Sequence, residues 1–164
     1  WREVLTTADT ITSVARAASG AVLVGTSAGD VLAVPAARAG SGSDGTAQAA
    51  SGPISALARL PGGVAVWPSP DRPWVAIQSA DGAVRVVDTD SGELVVTLPE
   101  ATAATSAAWA GDVLALAHGD GIHRWDLSVE RAQDRVCELA GRALTAEERA
   151  RYGLDTESPT PTCS

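Results

Sequence analysis

The chain has 164 residues, which is enough to bury a core in one or two small domains. Hydrophobic residues make up 45% of it, aromatic residues only 4%, and the formal net charge is −8. This acidic balance argues against nucleic acid or an anionic membrane as the main partner, because phosphate binding needs a basic footprint. The sequence shows no signal peptide and no apolar run long enough to span a bilayer. We therefore expect a cytoplasmic protein.

The first part of the chain predicts a set of short strands. Residues 1–7 could form the closing strand of a sheet whose other strands lie upstream. Since the chain starts with Trp1 and not with Met, we expect it to be a piece of a longer protein. Ser19-Gly20 and the Gly29 region predict turns. The strands predicted around these turns cover residues 11–18, 21–27 and 30–35.

A Gly- and Ser-rich segment without periodicity, residues 39–52, predicts an exposed loop before the next strand. Residues 53–60 then alternate apolar and polar side chains, as a half-buried strand does. This strand could open the next sheet as its innermost strand, with residues 64–73 as an inserted hairpin. Alternatively, residues 64–67 could open that sheet.

The clearest unit of the sequence runs from residue 64 to residue 98. Its strand segments are rich in Val, Ile and Trp, which fit a pleated, half-buried surface. Asp81-Gly82 and Ser91-Gly92 supply the positive φ angles of tight hairpin turns. The four strands are predicted at residues 64–67, 74–79, 83–88 and 93–98, and short hairpins at this spacing form one antiparallel sheet.

A third set of strands is predicted at residues 105–109, 112–118 and 121–126, after which the pattern becomes helical. Residues 128–140 carry apolar side chains at helical spacing, with Ser128 as the expected N-cap and Gly141 as the expected C-cap. A capping box from Thr145 to Glu148 predicts a second short helix through Tyr152, followed by an extended tail.

The central unit resembles the bacterial WD40 repeat, whose pattern is roughly SPDG…LASGSADGTVRLWD…TG. The matching residues are 69–71, 79–82, 87–88 and 91–92, with Val87 in place of the signature Trp. PISALARLPGG also resembles the opening PVTALAVSPDG of such a repeat, which favours residues 53–60 as the innermost strand. The resemblance implies an all-β fold, a partial β-propeller of about three four-stranded blades over residues 1–127. Residues 128–164 would form a small α-helical cap with an extended tail.

The C-terminal part resembles the cap of many actinobacterial WD-repeat proteins, with the rough pattern AC.IAGR.LT..EW..Y……TC. Residues 136–148, Tyr152 and 162–163 carry this likeness, while Arg149 stands where the family usually has Trp. The likeness implies the C-terminal blades of a larger multidomain protein. The return of the tail could join Cys137 and Cys163 in a disulfide, although a bacterial cytosol would more often keep both thiols reduced.

The candidate site residues are structural. Asp81 and Asp120 occupy the turn position that, in WD40 repeats, bonds toward a His, a Ser or Thr, and the Trp of the blade. Trp125-Asp126 keeps the signature dipeptide. His118 and His123 bracket Asp120, but two imidazoles do not make the four-ligand set of a structural zinc site. We predict no catalytic, metal-binding or cofactor-binding residue, and no cofactor.

The resemblance implies a binding function: a protein-interaction or sensor module, not an enzyme. The partner would be a protein, or the remaining propeller blades supplied in cis or by another chain. The alternative is a propeller enzyme, hydrolase or quinoprotein-like, with its catalytic groups largely outside this chain. The presumed channel strands, ISALARL and TSAAW, offer chiefly Ser, Ala and Arg59, which disfavours the enzyme.

Overall fold

The computed structural model describes residues 7–35, 54–98 and 104–141, together with Leu5, Thr145 and Glu147. The chain divides into two compact units, Trp1–Arg124 and Trp125–Ser164. The strands are β1 (Ile11–Arg16), β2 (Val22–Thr26), β3 (Asp30–Val34), β4 (Ser55–Arg59), β5 (Ala65–Pro68), β6 (Trp74–Gln78), β7 (Val84–Asp88), β8 (Leu94–Leu98), β9 (Ser106–Ala110), β10 (Val113–His118) and β11 (Gly121–Asp126), and the helix is α1 (Val129–Ala140).

The described strands form three antiparallel sheets. Sheet 1 has the order β1-β2-β3-β4, sheet 2 the order β5-β6-β7-β8, and sheet 3 the order β11-β10-β9. Within each sheet, neighbouring strands follow one another along the chain because short turns connect most of them. Gly20, Gly29, Gly82 and Gly92 have positive φ angles in those turns. The predicted all-β fold and the predicted strands and turns of all three sets are therefore confirmed.

One strand belongs to a different sheet than the sequence suggested. Residues 53–60 were expected to open the second sheet, but β4 pairs with β3 and closes sheet 1 as its outer strand. Residues 61–64 then lead into β5, which is the innermost strand of sheet 2, so the alternative in which residues 64–67 open that sheet is confirmed. Alternation shows that a strand is half-buried, but it does not show the strand's position within a sheet. The long separation between β3 and β4 made β4 look like the start of a new repeat.

Close backbone packing holds the end of β4 against the turn between β2 and β3. The Leu60 N–H donates a hydrogen bond to the Gly29 carbonyl at 2.9 Å. A Cβ atom on Gly29 would lie 1.7 Å from the Leu60 oxygen, so no side chain fits there. Gly29 also has a φ of 93°, which L-residues rarely adopt. This glycine therefore fixes where the chain leaves sheet 1 for sheet 2.

The core of the first unit lies between sheet 1 and sheet 2. Its fully buried members come from both sheets, and residues that alternate along each strand share one face. Ala15, Ala21 and Leu57 pack around it. The buried cluster consists of Ala17, Leu23, Val31, Val64, Val66, Val75, Ile77 and Val87. The described residues of this cluster thus join two small, Val-rich faces and include no aromatic side chain.

The second unit contains the helix that the sequence predicted. Ser128 accepts a hydrogen bond from the Arg131 N–H and caps the N-terminus of α1. Gly141 ends the helix with a φ of 65°, and its N–H donates to the Cys137 carbonyl. Both predicted caps are confirmed. Of the second predicted helix, only Thr145 and Glu147 are described, and the extended tail lies outside the described residues.

Candidate functional site

The first unit has a cleft of about 540 Å³ at the innermost strands of its three sheets. Strands β1, β5 and β9 each contribute to its walls, and the β5–β6 turn adds Pro70. None of the lining residues is acidic, basic, Tyr, Cys or His. They are Ser13, Val14, Ala15, Ala65, Val66, Trp67, Pro68, Pro70, Ala107, Ala108 and Trp109. The cleft therefore offers apolar and aromatic side chains together with polar main-chain groups, and no side chain among these residues could serve as a general acid or base.

Side chains of both neighbouring sheets bind the backbone of β5 and its approach. The Thr12 hydroxyl of β1 donates to the Val64 carbonyl at 2.6 Å. The Val66 N–H donates to the Ser13 hydroxyl at 2.9 Å. An indole N–H from β9 then reaches the end of the same strand. The two bonds from β1 occupy the inner edge of β5, where another strand would otherwise pair.

The indole that reaches β5 belongs to Trp109. Its Nε1–H donates to the Trp67 carbonyl at 2.8 Å. Its ring centroid lies 6.3 Å from that of Trp74, with the planes tilted by 50°. Such tilted aromatic pairs are favourable because the edge of one ring meets the face of the other. One indole thus joins sheet 3 to sheet 2 and also forms a wall of the cleft.

An ion pair stands behind this aromatic wall. The Arg72 guanidinium donates through Nε and Nη2 to the two Asp112 carboxylate oxygens, at 2.6 and 2.9 Å. Arg72 Cζ also lies 5.6 Å from the Trp74 ring centroid. The hydroxyl of the buried Ser69 accepts hydrogen bonds from the N–H groups of Asp71 and Arg72, which fixes the β5–β6 turn. The turn therefore presents Arg72 to sheet 3 in one orientation.

Asp81 lies in the β6–β7 turn and accepts several hydrogen bonds. Arg85 Nη2 donates to its Oδ2 at 3.0 Å, the Ser79 hydroxyl donates to Oδ1 at 2.6 Å, and the Ala83 N–H donates to Oδ1 at 3.1 Å. The hydrogen bond from Arg85, followed by that from Ser79, holds the pKa of Asp81 well below its ordinary value. The carboxylate thus links the turn to β7.

Asp120 occupies the corresponding turn of sheet 3 and has a different neighbour. His123 Nε2 lies 3.9 Å from its Oδ1. The His118 and His123 rings meet at 4.6 Å between centroids. Within residues 7–35, 54–98 and 104–141, no three His, Cys, Asp or Glu side chains are placed to hold a metal ion. The two imidazoles are thus brought together, as their hairpin spacing allows.

Two aspartates end the third strands of sheets 2 and 3. Asp88 Oδ1 accepts hydrogen bonds from the N–H groups of Asp90 and Ser91, and the Ser91 N–H is the main cause of its lowered pKa. Asp126 Oδ1 accepts from the N–H and hydroxyl of Ser128. Both carboxylates therefore order the backbone that follows their strand. Trp125, beside Asp126, is half-buried.

Cys137 lies in α1 and is disulfide-bonded. Cys163 is the other cysteine of the chain and lies outside the described residues. The predicted pairing of the two therefore stays a prediction.

Sequence reasoning missed the residues that build the cleft. Trp67, Trp74 and Trp109 are three of the five tryptophans of the chain, but their sequence context indicates only that they favour strands. The position of Trp67 and Trp109 at the ends of inner strands was the available signal. The Arg72–Asp112 pair spans 40 residues and has no local signature. The expected channel strand ISALARL is not part of the cleft, because β5 takes that place.

Comparison with known proteins gives a fold but no family. No family model matches the chain, and no curated protein matches it. Among solved structures, a chain of the mitotic checkpoint complex matches with 20% identity and a TM-score of 0.55, covering 71% of this chain and 33% of that one. The computationally designed protein Ika4 matches with 19% identity and a TM-score of 0.56, covering 77% and 74%.

Sqt1 of Chaetomium thermophilum, solved with the N-terminus of the ribosomal protein L10, matches with 26% identity and a TM-score of 0.51. The match covers 71% of this chain and 31% of the Sqt1 chain. The chain thus spans about a third of the length of two of these three structures. The three described sheets and these similarities define the fold as a partial β-propeller of the WD40 type. No helix in the described part of the chain is long and apolar enough to cross a membrane.

Proposed function

We propose that the chain is a protein-interaction module whose cleft binds an uncharged segment of a partner protein. The observation that carries this proposal is the uncharged cleft of about 540 Å³ at β1, β5 and β9. Ligand-binding sites are typically concave and largely preformed. Trp67 and Trp109 are half-buried, so each keeps part of its ring available to a ligand. Aromatic side chains are the usual anchors of such interfaces.

The contacts around the cleft support a rigid binding site. Trp109 is held by its bond to the Trp67 carbonyl on one side and by Trp74 on the other. The buried Ser69 hydroxyl, which accepts from the N–H groups of Asp71 and Arg72, fixes the turn that carries Pro70. A preformed site avoids the entropic cost of ordering side chains when the partner binds.

The structures to which this chain is similar support a protein partner. Sqt1 was solved with the N-terminus of a ribosomal protein, and another match belongs to the mitotic checkpoint complex. For this chain we further propose, from the sequence resemblance, the role of a sensor in a bacterial, cytoplasmic multidomain protein. Asp81, Asp120, Trp125 and Asp126 would have structural roles, and the cap would carry the Cys137–Cys163 pair. The net charge of −8 disfavours nucleic acid as the partner.

Binding at the cleft can be tested with peptides selected from a random library on the immobilised chain. Pro70→Arg places a long cation at the mouth of the cleft and should weaken binding of the selected peptides about tenfold or more. Pro73→Arg is the matched control, because Pro73 is exposed in the same turn but does not line the cleft. Calorimetric titration of both variants measures the effect. Equal affinities for the two variants would contradict the proposed site.

A further inference from the structure

Sheet 2 packs against a neighbouring sheet on each of its two faces. Val75 and Ile77 are fully buried on the face that packs against sheet 1. Ala76 and Val86 are also fully buried, and they lie on the opposite face, which they share with Trp74. Trp74 contacts Trp109 of sheet 3. Sheet 2 is therefore covered on both faces by the apolar faces of like sheets.

Sheet 3 has one covered face and one open face. Leu114 pairs with Trp109 and Leu116 follows two residues later, so these side chains share the face turned to sheet 2, and both leucines are fully buried. Ile122 lies on the opposite face, since a two-residue turn between β10 and β11 places it across from Ala117. Its side chain is 75% exposed. The open face carries Ala108, Ala110, Val113, Ala115, Ala117 and Ile122.

Sheet 1 has an open area on the face turned away from sheet 2. Val22 and Val24 alternate with Leu23, which packs against sheet 2, so both valines lie on the far face. Val14, which pairs with Val24, and Val22 are exposed. Val24 is buried, so the open area is confined to β1 and the start of β2. The two terminal sheets thus each present apolar side chains to solvent.

We propose that the open face of sheet 3 binds the open area of sheet 1 in a second copy of this chain. The argument is continuity with the contacts inside the chain: sheet 1 meets sheet 2, and sheet 2 meets sheet 3, always through opposite faces. Such a head-to-tail contact joins two different surfaces. It forms a closed ring when the rotations from each copy to the next add up to a full turn. Propellers close with about four to eight sheets. With three described sheets per copy, two copies give six, so the proposed assembly is a closed dimer.

Sedimentation velocity of the 164-residue chain tests the assembly. We expect a single species of twice 16.6 kDa at high concentration, which dissociates on dilution. A monomer at all concentrations would overturn the proposal. A ladder of growing oligomers would also overturn it, because an unclosed head-to-tail contact propagates without limit.

Charged substitutions identify the two faces. Ile122→Glu and Val22→Glu should each shift the chain to monomer, because each places an unpaired charge in the proposed contact. Val129→Glu is the control: Val129 is also an exposed apolar residue, but it belongs to α1. It should leave the dimer unchanged. Circular dichroism checks that the variants fold. If the Ile122→Glu chain does not fold, Ala115→Glu replaces it. A dimer that persists in either face variant would overturn the assignment, because a contact between two identical faces is disrupted by only one of them.

Mixing the two monomeric variants tests whether the sheet 3 face of one copy binds the sheet 1 area of the other. The Val22→Glu chain keeps an intact sheet 3 face, and the Ile122→Glu chain keeps an intact sheet 1 area. The mixture should therefore form a one-to-one heterodimer through a single intact contact. If the mixture stays monomeric, the sheet 3 face does not bind the sheet 1 area and the head-to-tail proposal is wrong.

Discussion

Sheets 2 and 3 follow the same strand order, but they differ in what fixes them. Sheet 2 is buried on both faces, and its β6–β7 turn is held by the Asp81–Arg85 pair at 3.0 Å. The β10–β11 hairpin of sheet 3 is one residue shorter than the β6–β7 hairpin of sheet 2. Its aspartate therefore meets His123, three residues later, at 3.9 Å. In the shorter hairpin, the Asp120–His123 contact takes the place of the short, charge-assisted hydrogen bond between Asp81 and Arg85.

The strand ends of the two sheets differ in a similar way. Asp88 and Ser91 order a turn in which Gly92 has a φ of 75°, and the chain returns as β8. Asp126 and Ser128 order a backbone in which Ser128 caps α1 instead. The same aspartate chemistry thus supports either a fourth strand or a helix. The choice depends on the residues that follow the aspartate.

The largest expected difference between the sheets concerns the burial of their isoleucines. Ile77→Ala should lower the free energy of unfolding by about 2–5 kcal/mol, because the side chain is fully buried between sheets 1 and 2. Ile122→Ala, measured where the chain is monomeric, should change it by about 0.5 kcal/mol or less, as expected of an exposed side chain. Urea unfolding measures both. Equal losses would mean that sheet 3 is covered on both faces.

A smaller effect is expected at the indole that connects the two sheets. Trp109→Phe removes the donor to the Trp67 carbonyl and should cost about 1–2 kcal/mol beyond the loss of ring area. Trp74→Phe is the matched control, since it shortens the neighbouring ring without touching that hydrogen bond. The difference between their unfolding free energies isolates the bond. If the two variants lose the same amount, the indole N–H does not contribute to the junction.

The ion pair behind this junction should contribute less. Arg72 is 51% exposed, so solvent screens its attraction to Asp112. A double-mutant cycle with Arg72→Gln and Asp112→Asn should give a coupling energy of about 1 kcal/mol or less. The coupling should shrink in high salt, because exposed charges are screened. A coupling independent of salt would contradict this description.

The smallest expected effect concerns acid stability. The pKa of Asp81 is lowered in the folded chain, so its contribution is complete above the ordinary value of 3.8 and is lost as the pH falls below it. Asp81→Asn should therefore flatten the fall in stability below that pH. Arg85→Gln removes the main cause of the lowered pKa and should flatten it as well. Thermal unfolding between neutral and acidic pH measures this. A slope like that of the unmodified chain in both variants would contradict the assignment.

Local chemistry explains why most of the fold could be predicted from the sequence. Asp81-Gly82 and Ser91-Gly92 specify hairpin turns, and the Val- and Ile-rich segments between such turns specify strands. Ser128 and Gly141 specify the ends of α1 in the same local way. The place of β4 could not be predicted, because its pairing with β3 spans a long Gly- and Ser-rich segment and no local pattern indicates which strands pair across it.

The candidate site was harder to predict than the fold. Trp67 and Trp109 are 42 residues apart, and their contact depends on how sheet 2 and sheet 3 pack. No pattern within either strand encodes that packing. The aspartates were found because their role is local, whereas the walls of the cleft come from three different sheets.

The side-chain bonds to the backbone of β5 and its approach also bear on how the chain folds. They join residues 52, 53 and 42 positions apart, whereas the hairpins within each sheet close over a few residues. Local hairpins form early, while distant contacts wait for loop-closure entropy to be overcome. Until Thr12 and Ser13 arrive, β5 has a bare edge that could pair with another nascent chain. Lengthening the segment between β3 and β4 would raise the closure cost only slightly, by about 0.6 kcal/mol per doubling of the loop.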